Sequence, residues 1–243
     1  MGSKLRWKQA QSYERGYWQN TENKAKQGSV DLTWYKWRAD NLQRLFDTAF
    51  AQKKRSFESS RILEVGCGPV GVISFFNAME RYAVDPLNDF FESLPELTKH
   101  RNANVKYKTS MGEKLPFEDK FFDLVIIENV IDHVSNSGSV MKEINRVLKD
   151  KSTLYLTVNL HPGWGAFLHT IVSKLRIDKG HPHTFTIPRI RGFLKAHGFN
   201  LIYEEWEDYR ECRKKDLESK SRKALIKGIS GLSEFLYSSI SNK

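Results

Sequence analysis

The chain has few cysteines and no long apolar run. Two of its 243 residues are cysteines, Cys67 and Cys212, and they lie far apart in the sequence. This spacing matches neither a disulfide framework nor a zinc motif, so we predict no metal site and expect a reducing compartment. No apolar stretch is long enough to cross a bilayer, and no secretory signal pattern is present. We therefore expect a cytoplasmic location.

The excess of positive over negative charge is absent from the middle of the chain. The net charge is +10, yet residues 61–209 carry 18 Lys and Arg against 19 Asp and Glu. The excess lies in residues 1–60, with 12 basic against 6 acidic residues, and in residues 210–227, with 8 against 3. The central body is thus near neutral, and nucleic acid is not its expected partner.

Three glycines follow an apolar stretch near residue 65. Gly66, Gly68 and Gly71 lie in the run 61–74, which predicts a short strand, a glycine turn and a helix start. Glycine lets the backbone approach a ligand closely, and the free N–H groups of the helix would point at the same place. The pattern indicates a nucleotide-like cofactor, although a glycine turn alone also ends ordinary strands.

Acidic residues stand at the ends of two predicted strands. Glu64 precedes the glycine turn, and Asp85 ends the apolar stretch Tyr82–Asp85. Ligands bind at such strand ends in open α/β sheets, where Glu64 would face a cationic amine and Asp85 a ribose. Alternatively, Glu64 pairs with a Lys or Arg and Asp85 caps a helix. A nicotinamide dinucleotide is disfavoured because its phosphates would be repelled by Glu64.

Further motifs follow in a fixed order. They are Gly112-Glu-Lys-Leu-Pro-Phe117, residues 122–134, residues 143–149 and the strand 153–158. Together with the glycine turn, they resemble class I S-adenosylmethionine-dependent methyltransferases. They look most like the small-molecule branch, methyltransferase type 11, which is related to quinone biosynthesis.

The resemblance implies a fold and a division of the chain. We expect an α/β, doubly wound, mostly parallel Rossmann-like sheet with an N-terminal helical lid and a helical C-terminal extension. The segments would be a lid (1–58), an S-adenosylmethionine-binding core (59–160), a substrate-side insertion with the last strands (161–208) and a basic amphipathic tail (209–243). Of the aromatics in the first segment, Tyr13, Tyr17 and Trp18 are lid candidates, whereas Trp34 and Trp37 are expected to pack on the sheet with Leu42 and Leu45.

The resemblance also assigns cofactor contacts. Turn residues would hold the methionine part and Glu64 its amino group, while Asp85 would hold the ribose. Met111, Gly112 and Glu113 would border the adenine, and Asn129 would lie beneath the methyl group. At Met111 this branch often has an acid, and Val70 replaces a frequent glycine. The full predicted set is Glu64, Gly66, Cys67, Gly68, Asp85, Met111, Gly112, Glu113 and Asn129.

Histidines concentrate in the segments expected at the pocket mouth. His161, His169, His181 and His183 lie in the insertion, and His133 follows the fourth strand. Methyl transfer needs a base only when the acceptor must lose a proton. The first choices for that base are His133 and His183, with Asp132 as a candidate orienting partner.

The C-terminal residues predict a helix with an apolar stripe behind a basic cluster. The stripe comprises Leu225, Ile226, Ile229, Leu232, Phe235, Leu236 and Ile240. Such a helix would dock on the body, pair in a dimer or attach to a membrane surface. The second strand of the closing hairpin is not recognisable in the sequence.

Three functions follow from these patterns. The leading one is an S-adenosylmethionine-dependent methyltransferase that O-methylates a small-molecule, glycan or lipid-linked acceptor. The second is an RNA methyltransferase that uses the basic flanks, although no Asn/Asp-Pro-Pro-Tyr signature is present. The third is an S-adenosylmethionine-binding protein without catalysis.

Overall fold

The computed structural model describes residues 2–28, 34–51, 56–175, 177 and 180–243. Its sheet has seven strands: β1 (Arg61–Val65), β2 (Glu80–Asp85), β3 (Val105–Thr109), β4 (Phe122–Glu128), β5 (Leu148–Leu160), β6 (Asn200–Trp206) and β7 (Phe235–Asn242). The helices are α1 (Gly2–Lys26), α2 (Trp34–Ala49), α3 (Asn88–Phe91), α4 (Pro95–Thr98), α5 (Ser137–Val147), α6 (Gly163–Lys174), α7 (Ile187–Ala196), α8 (Tyr209–Glu218) and α9 (Arg222–Ser230), and Val72–Phe75 is a 3₁₀ helix.

The strand order is β3-β2-β1-β4-β5-β7-β6, and β1 to β5 run parallel. β7 lies between β5 and β6 and is antiparallel to both. The strand order reverses between β1 and β4, because the chain continues from β1 to β2 on one side of this pair and from β4 to β5 on the other. Ligands bind at this position in doubly wound folds.

Apolar side chains cover both faces of the sheet. On one face, α5 contributes Val140, Met141, Ile144 and Val147, which recur at helical spacing and are fully buried. On the other face, Leu42, Leu45 and Phe46 of α2 pack over β1 and β4. The central strands are apolar on both faces because helices cover both, as the predicted Rossmann-like fold requires. The predicted fold class is confirmed.

The C-terminal tail differs from the prediction. The helix that begins at Arg222 ends at Ser230, and Gly231 is its left-handed C-cap. Phe235, Leu236 and Ile240 belong to β7, so the prediction of one helical stripe through Ile240 is wrong. This strand is the missing partner of β6, and its pairing with both neighbours outweighs the helical spacing of its apolar residues.

The N-terminal aromatics that are buried differ from those that the sequence predicted. Trp37 is 60% exposed, whereas Tyr35 is buried and Trp34 is partly buried against the core. Tyr13 and Tyr17 are also largely exposed, whereas Trp18 packs edge-on against Phe91 at 5.9 Å. Helical geometry explains why Tyr35 is buried and Trp37 is not, because Tyr35 shares a helix face with Leu42 and Trp37 does not.

No helix in the described ranges combines the length and the apolarity needed to cross a bilayer.

Candidate functional site

A cavity lies at the carboxyl ends of β1, β2 and β4, beneath α1 and α2. Its floor is the glycine turn after β1, and its sides are the segments that follow β2, β3 and β4. Of the predicted cofactor residues, all nine line this one cavity: Glu64, Gly66, Cys67, Gly68, Asp85, Met111, Gly112, Glu113 and Asn129. The structure thus brings together residues from four separate stretches of the chain.

The glycine turn depends on the absence of side chains. Gly66, Gly68 and Gly71 all have positive φ, at 75°, 60° and 79°. A Cβ at Gly66 would lie 2.3 Å from Cγ2 of Val130, and one at Gly68 would lie 3.2 Å from the Tyr35 hydroxyl. The backbone N–H of Gly66 donates to the Val84 carbonyl at 2.8 Å, which ties the turn to β2. Only glycine fits this conformation and this spacing.

Glu64 is buried under the turn and has partners within the chain. Its carboxylate accepts hydrogen bonds from the backbone N–H groups of Val72 and Ile73, at 3.2 and 2.9 Å. Burial raises the pKa of Glu64 to about 8, and the two N–H donors act against that rise. The partners are thus backbone amides of the 3₁₀ helix, and not the Lys or Arg side chain of the second predicted alternative. The side chain also lines the cavity, and its contact with an amine stays a prediction.

Asp85 joins the turn to the tip of β2. Its Oδ2 accepts from the Gly68 N–H at 3.0 Å, and its Oδ1 accepts from the Leu87 N–H at 2.8 Å. Burial raises the pKa of this carboxyl to about 6. A carboxylate oxygen has two lone pairs, so both oxygens keep acceptor capacity towards the cavity.

Carboxylates dominate the charged groups of the cavity. Five line it: Glu14, Glu64, Asp85, Glu113 and Glu128. Among the described residues, Arg38 is the one Lys or Arg side chain in its wall, and its Nη1 lies 3.6 Å from Oε2 of Glu128. Burial also raises the pKa of Glu128. In a chain of net charge +10, this negative pocket fits a positively charged ligand.

The wall after β3 is shaped by close packing. Gly112 lies against Val65 and Val140, and a Cβ there would be 3.1 Å from Cγ1 of Val65. Glu113 accepts the backbone N–H of Asn136 at 3.0 Å, next to the start of α5. Met111 is partly exposed at the rim, where a thioether offers an apolar surface to a flat ring.

Asn129 has the most unusual conformation in the cavity. Its φ is 53°, in the left-handed region, and its backbone N–H donates to both the carbonyl and the hydroxyl oxygen of Thr157. Its buried Oδ1 has no hydrogen-bond partner among the described residues. A buried amide oxygen without a partner is costly, so it fits a site that a ligand donor completes.

α1 covers the cavity and is anchored by a contact outside it, near the end of the helix. Trp7, Gln11, Glu14 and Trp18 of this helix line the cavity roof. Further along, the fully buried Glu22 accepts the backbone N–H groups of Glu96 and Leu97 at the start of α4. Of the three predicted lid residues, Trp18 therefore lines the cavity, whereas Tyr13 and Tyr17 do not.

His133 lies in the cavity wall between carboxylates. Its Nε2 is 3.8 Å from Oδ2 of the buried Asp132, and its Nδ1 is 3.8 Å from Oε1 of Glu14. The ring of His181 is 4.4 Å away, and the ligand atoms of Asp132, His133 and His181 all lie within 4.8 Å of one another. Spacing along the chain indicated no such cluster, because His181 comes from another segment.

His183 lies outside the cavity lining. Its Nε2–H donates to the Val134 carbonyl at 2.9 Å, since a carbonyl oxygen only accepts. Burial lowers the pKa of His183. Its ring therefore supports the segment after β4, and the two predicted base candidates are separated by the structure. His161 and His169 stack at 4.4 Å on the inner side of α6, further from the cavity.

Several cavity residues were not predicted from the sequence. Glu128 ends a buried strand in the same way as Glu64 and Asp85, so the rule applied to β1 and β2 would have found it on β4. Tyr35 and Arg38 lie on α2, and no motif marks them. Glu14 reaches the site only because α1 folds over the sheet.

Comparison with known proteins agrees with the geometry. Residues 63–156 match a family model described as a methyltransferase domain. An uncharacterized methyltransferase of Schizosaccharomyces pombe is 30% identical over 103 residues, which cover 38% of this chain and 37% of the relative. The chain therefore spans well under half of that relative's length.

A longer match comes from the ubiquinone biosynthesis O-methyltransferase of Rickettsia akari. It is 27% identical over 191 residues, covering 76% of this chain and 69% of the relative. Among solved structures, a phosphoethanolamine N-methyltransferase of Haemonchus contortus, bound to S-adenosylhomocysteine, has a TM-score of 0.58. It is 19% identical, with coverage of 84% of this chain and 52% of that one, and shows a shared fold.

Proposed function

We propose that this chain, whose residues 63–156 match a methyltransferase domain, is a class I S-adenosylmethionine-dependent methyltransferase that transfers the methyl group to an oxygen atom of a small-molecule acceptor. The acceptor classes are a lipid-linked or quinone-like molecule and a glycan. The observation that carries the proposal is His133, an imidazole in the wall of the same cavity that holds all the predicted cofactor residues.

The cavity suits the cofactor by charge and by shape. S-adenosylmethionine, when bound, supplies a methyl group on a positively charged sulfur that is already activated for displacement. Glu64 and Glu128 would face its cationic part, and Asp85 would accept the ribose hydroxyls. The orphaned Oδ1 of Asn129 supports a donor on the ligand side, and the side-chain-free turn at Gly66 and Gly68 leaves room for it.

His133 would take the proton of the acceptor hydroxyl. As the new carbon–oxygen bond formed and the bond between the methyl carbon and the donor sulfur broke, the hydroxyl proton would pass to the imidazole, which would then release it to solvent. Carboxylate oxygens of Asp132 and Glu14 lie 3.8 Å from the two ring nitrogens and so fix its surroundings on both sides. Because Glu14 lies on α1, the predicted lid helix would contribute one of the negative charges next to His133. Exclusion of water by Trp7 and Trp18 strengthens these interactions.

RNA is less favoured as the acceptor. The cavity wall is rich in carboxylates, which repel a phosphate backbone. No residue of the basic segment 210–227 lines the cavity. The match to an O-methyltransferase of quinone biosynthesis, although distant, also supports a small molecule.

The test is acceptor identification with labelled cofactor. The enzyme is incubated with labelled S-adenosylmethionine and separated lipid, glycan and RNA fractions, and the labelled product is analysed for a methyl ether. Label in a lipid or glycan product that is stable to mild base, and lost when the acceptor hydroxyl is blocked beforehand, supports the proposal. Label on RNA, or cofactor binding without label in any fraction, contradicts it.

A further inference from the structure

α6 presents a row of large apolar side chains to solvent. Trp164, Phe167, Ile171 and Leu175 recur every three or four residues and are 64%, 57%, 40% and 65% exposed. The opposite side of the same helix buries Gly165, His169 and Ser173. Single exposed apolar residues are common, but an aligned row of four on one helix marks an interaction surface.

α9 adds a second exposed apolar group next to the first. Leu225, Ile226 and Ile229 are 38%, 63% and 66% exposed. The two helices meet at their ends, because a Cβ at Gly165 would lie 2.5 Å from the Gly231 carbonyl and one at Gly231 would lie 3.3 Å from Cδ1 of Trp164. We call the combined set the α6–α9 surface: Trp164, Phe167, Ile171, Leu175, Leu225, Ile226 and Ile229.

Positive charge surrounds α9. Residues 210–227 hold eight Lys and Arg against three Asp and Glu, whereas residues 61–209 are near neutral. Five of the cations are exposed on α8, α9 and the link between them: Lys214, Lys215, Lys220, Arg222 and Lys223. Within the described ranges of the chain, none of these five forms an ion pair. Their charge is thus directed to solvent beside an apolar surface.

We propose that the α6–α9 surface binds the face of an anionic lipid bilayer. The apolar side chains would enter the headgroup layer, and the surrounding cations would meet the lipid phosphates. An exposed tryptophan such as Trp164 is typical of the membrane–water interface. A second copy of the chain is a poorer occupant, because it would bring an equally basic surface against this one.

The position of α6 relates this surface to the cavity. The buried face of α6 carries His169, whose ring is 6.3 Å from that of His181, and His181 is 4.4 Å from His133 in the cavity wall. α6 therefore lies between its own exposed apolar row and the part of the cavity wall that carries His133. The inference goes beyond the proposed function, since attachment would hold whichever molecule accepts the methyl group.

The test is vesicle co-sedimentation of the full chain. One set of vesicles is phosphatidylcholine, and the other contains phosphatidylcholine with phosphatidylglycerol. We expect binding to the anionic vesicles that weakens with added salt, with little binding to the neutral ones. Equal binding to both kinds, or to neither, would overturn the proposal.

Two sets of variants, each with its own control, locate the contact. Trp164→Ser and Phe167→Ser should each lower the partition into anionic vesicles about tenfold or more, because a large apolar side chain no longer enters the headgroup layer. Trp37→Ser, at 60% exposure on α2, is the matched control and should bind as the parent does. The double change Lys214→Glu and Lys215→Glu should abolish binding, whereas Lys142→Glu with Lys195→Glu should not.

Further readouts separate the outcomes. Calorimetric titration with S-adenosylmethionine should give the same affinity for parent and surface variants, which shows that the variants are folded and that the cavity is intact. If Trp164→Ser abolished a dimer seen by light scattering while vesicle binding was absent, the surface would be a contact between copies. If the lysine variants abolished RNA binding instead, the partner would be nucleic acid.

Discussion

The backbone N–H of Gly68 donates to Oδ2 of Asp85 across 3.0 Å, so the glycine turn and the tip of β2 are joined directly. The same carboxylate accepts the Leu87 N–H through Oδ1. One side chain therefore both holds the shape of the turn and offers oxygens to the cavity. Its two roles are separable by substitution.

Asp85→Asn should weaken S-adenosylmethionine binding by about 10- to 100-fold, because an amide replaces one carboxylate acceptor in a buried site. Asp85→Ala should abolish binding and lower the free energy of unfolding by about 1–3 kcal/mol, since the Gly68 and Leu87 N–H groups lose their acceptor. Calorimetric titration and urea unfolding measure both effects. Asp47→Asn, on the exposed side of α2, is the control. Undiminished affinity in both Asp85 variants would refute the site assignment.

Gly66→Ala should destabilise the chain more than Gly28→Ala. Both glycines have positive φ, so each alanine costs about 1–2 kcal/mol in backbone conformation. A Cβ at Gly66 also meets Val130 at 2.3 Å, whereas at Gly28 nothing lies within 4 Å. The difference between the two unfolding free energies measures that overlap, and Gly66→Val should abolish cofactor binding. Adding Val130→Ala to Gly66→Ala should restore part of the stability. Equal losses at both glycines would contradict the packing described.

Cofactor binding should release protons near neutral pH. Burial raises the pKa of Glu64 to about 8 and that of Asp85 to about 6, so part of each population is protonated in the free chain at pH 7. A positively charged ligand favours the ionised forms, and affinity should therefore rise as the pH increases from about 6 to about 8. Calorimetry in buffers of different ionisation enthalpy measures the released protons. A pH-independent affinity over this range would count against the carboxylates as partners.

The same pKa shifts predict how stability changes with pH. A carboxyl with a raised folded pKa binds its proton more tightly in the native than in the unfolded state. Between the unfolded pKa of Glu64, near 4.5, and its folded pKa of about 8, its contribution to the stability of the ligand-free chain should fall as the pH rises. Bound cofactor should offset this loss. The gap between melting temperatures with and without cofactor should thus widen from pH 6 to pH 8.

His133→Gln should lower kcat by about 10²- to 10⁴-fold and leave cofactor affinity close to that of the parent, because the imidazole acts on the acceptor proton. The loss should be smaller for a more acidic hydroxyl, which needs less help from a base. His100→Gln, at an exposed histidine that does not line the cavity, is the control. Rates are measured with the acceptor identified by labelling. A fall in cofactor affinity that matches the fall in rate would show that His133 holds the cofactor instead.

Most of the sheet could be predicted because its central strands are short apolar runs with distinct ends. Glu64, Asp85 and the glycines at residues 66 and 68 mark such ends, and the predicted site residues proved to line one cavity. β7 could not be predicted in the same way. Ser238, Ser239 and Ser241 are buried in it, so its sequence looks too polar for an internal strand. Its apolar residues at 235, 236 and 240 also fit helical spacing.

The roof of the site was harder to predict than its floor. Trp34, Tyr35 and Trp37 are neighbours in the sequence, and which of them turns inward depends on how α2 is rotated against the sheet. That rotation is fixed by Leu42, Leu45 and Phe46, which occupy the core. Glu14 and the cluster of Asp132, His133 and His181 depend on contacts between distant segments, which no local pattern encodes.

The position of β7 between β5 and β6 affects how the chain folds during its synthesis. During synthesis, β6 leaves the ribosome before β7 but has no neighbour to pair with until residues 235–242 follow. Until β7 has been synthesised, the outer edge of β5 presents unpaired amide and carbonyl groups, which can pair with strands of other nascent chains. Chaperone dependence should therefore centre on this late step, after the cofactor half of the sheet has already assembled.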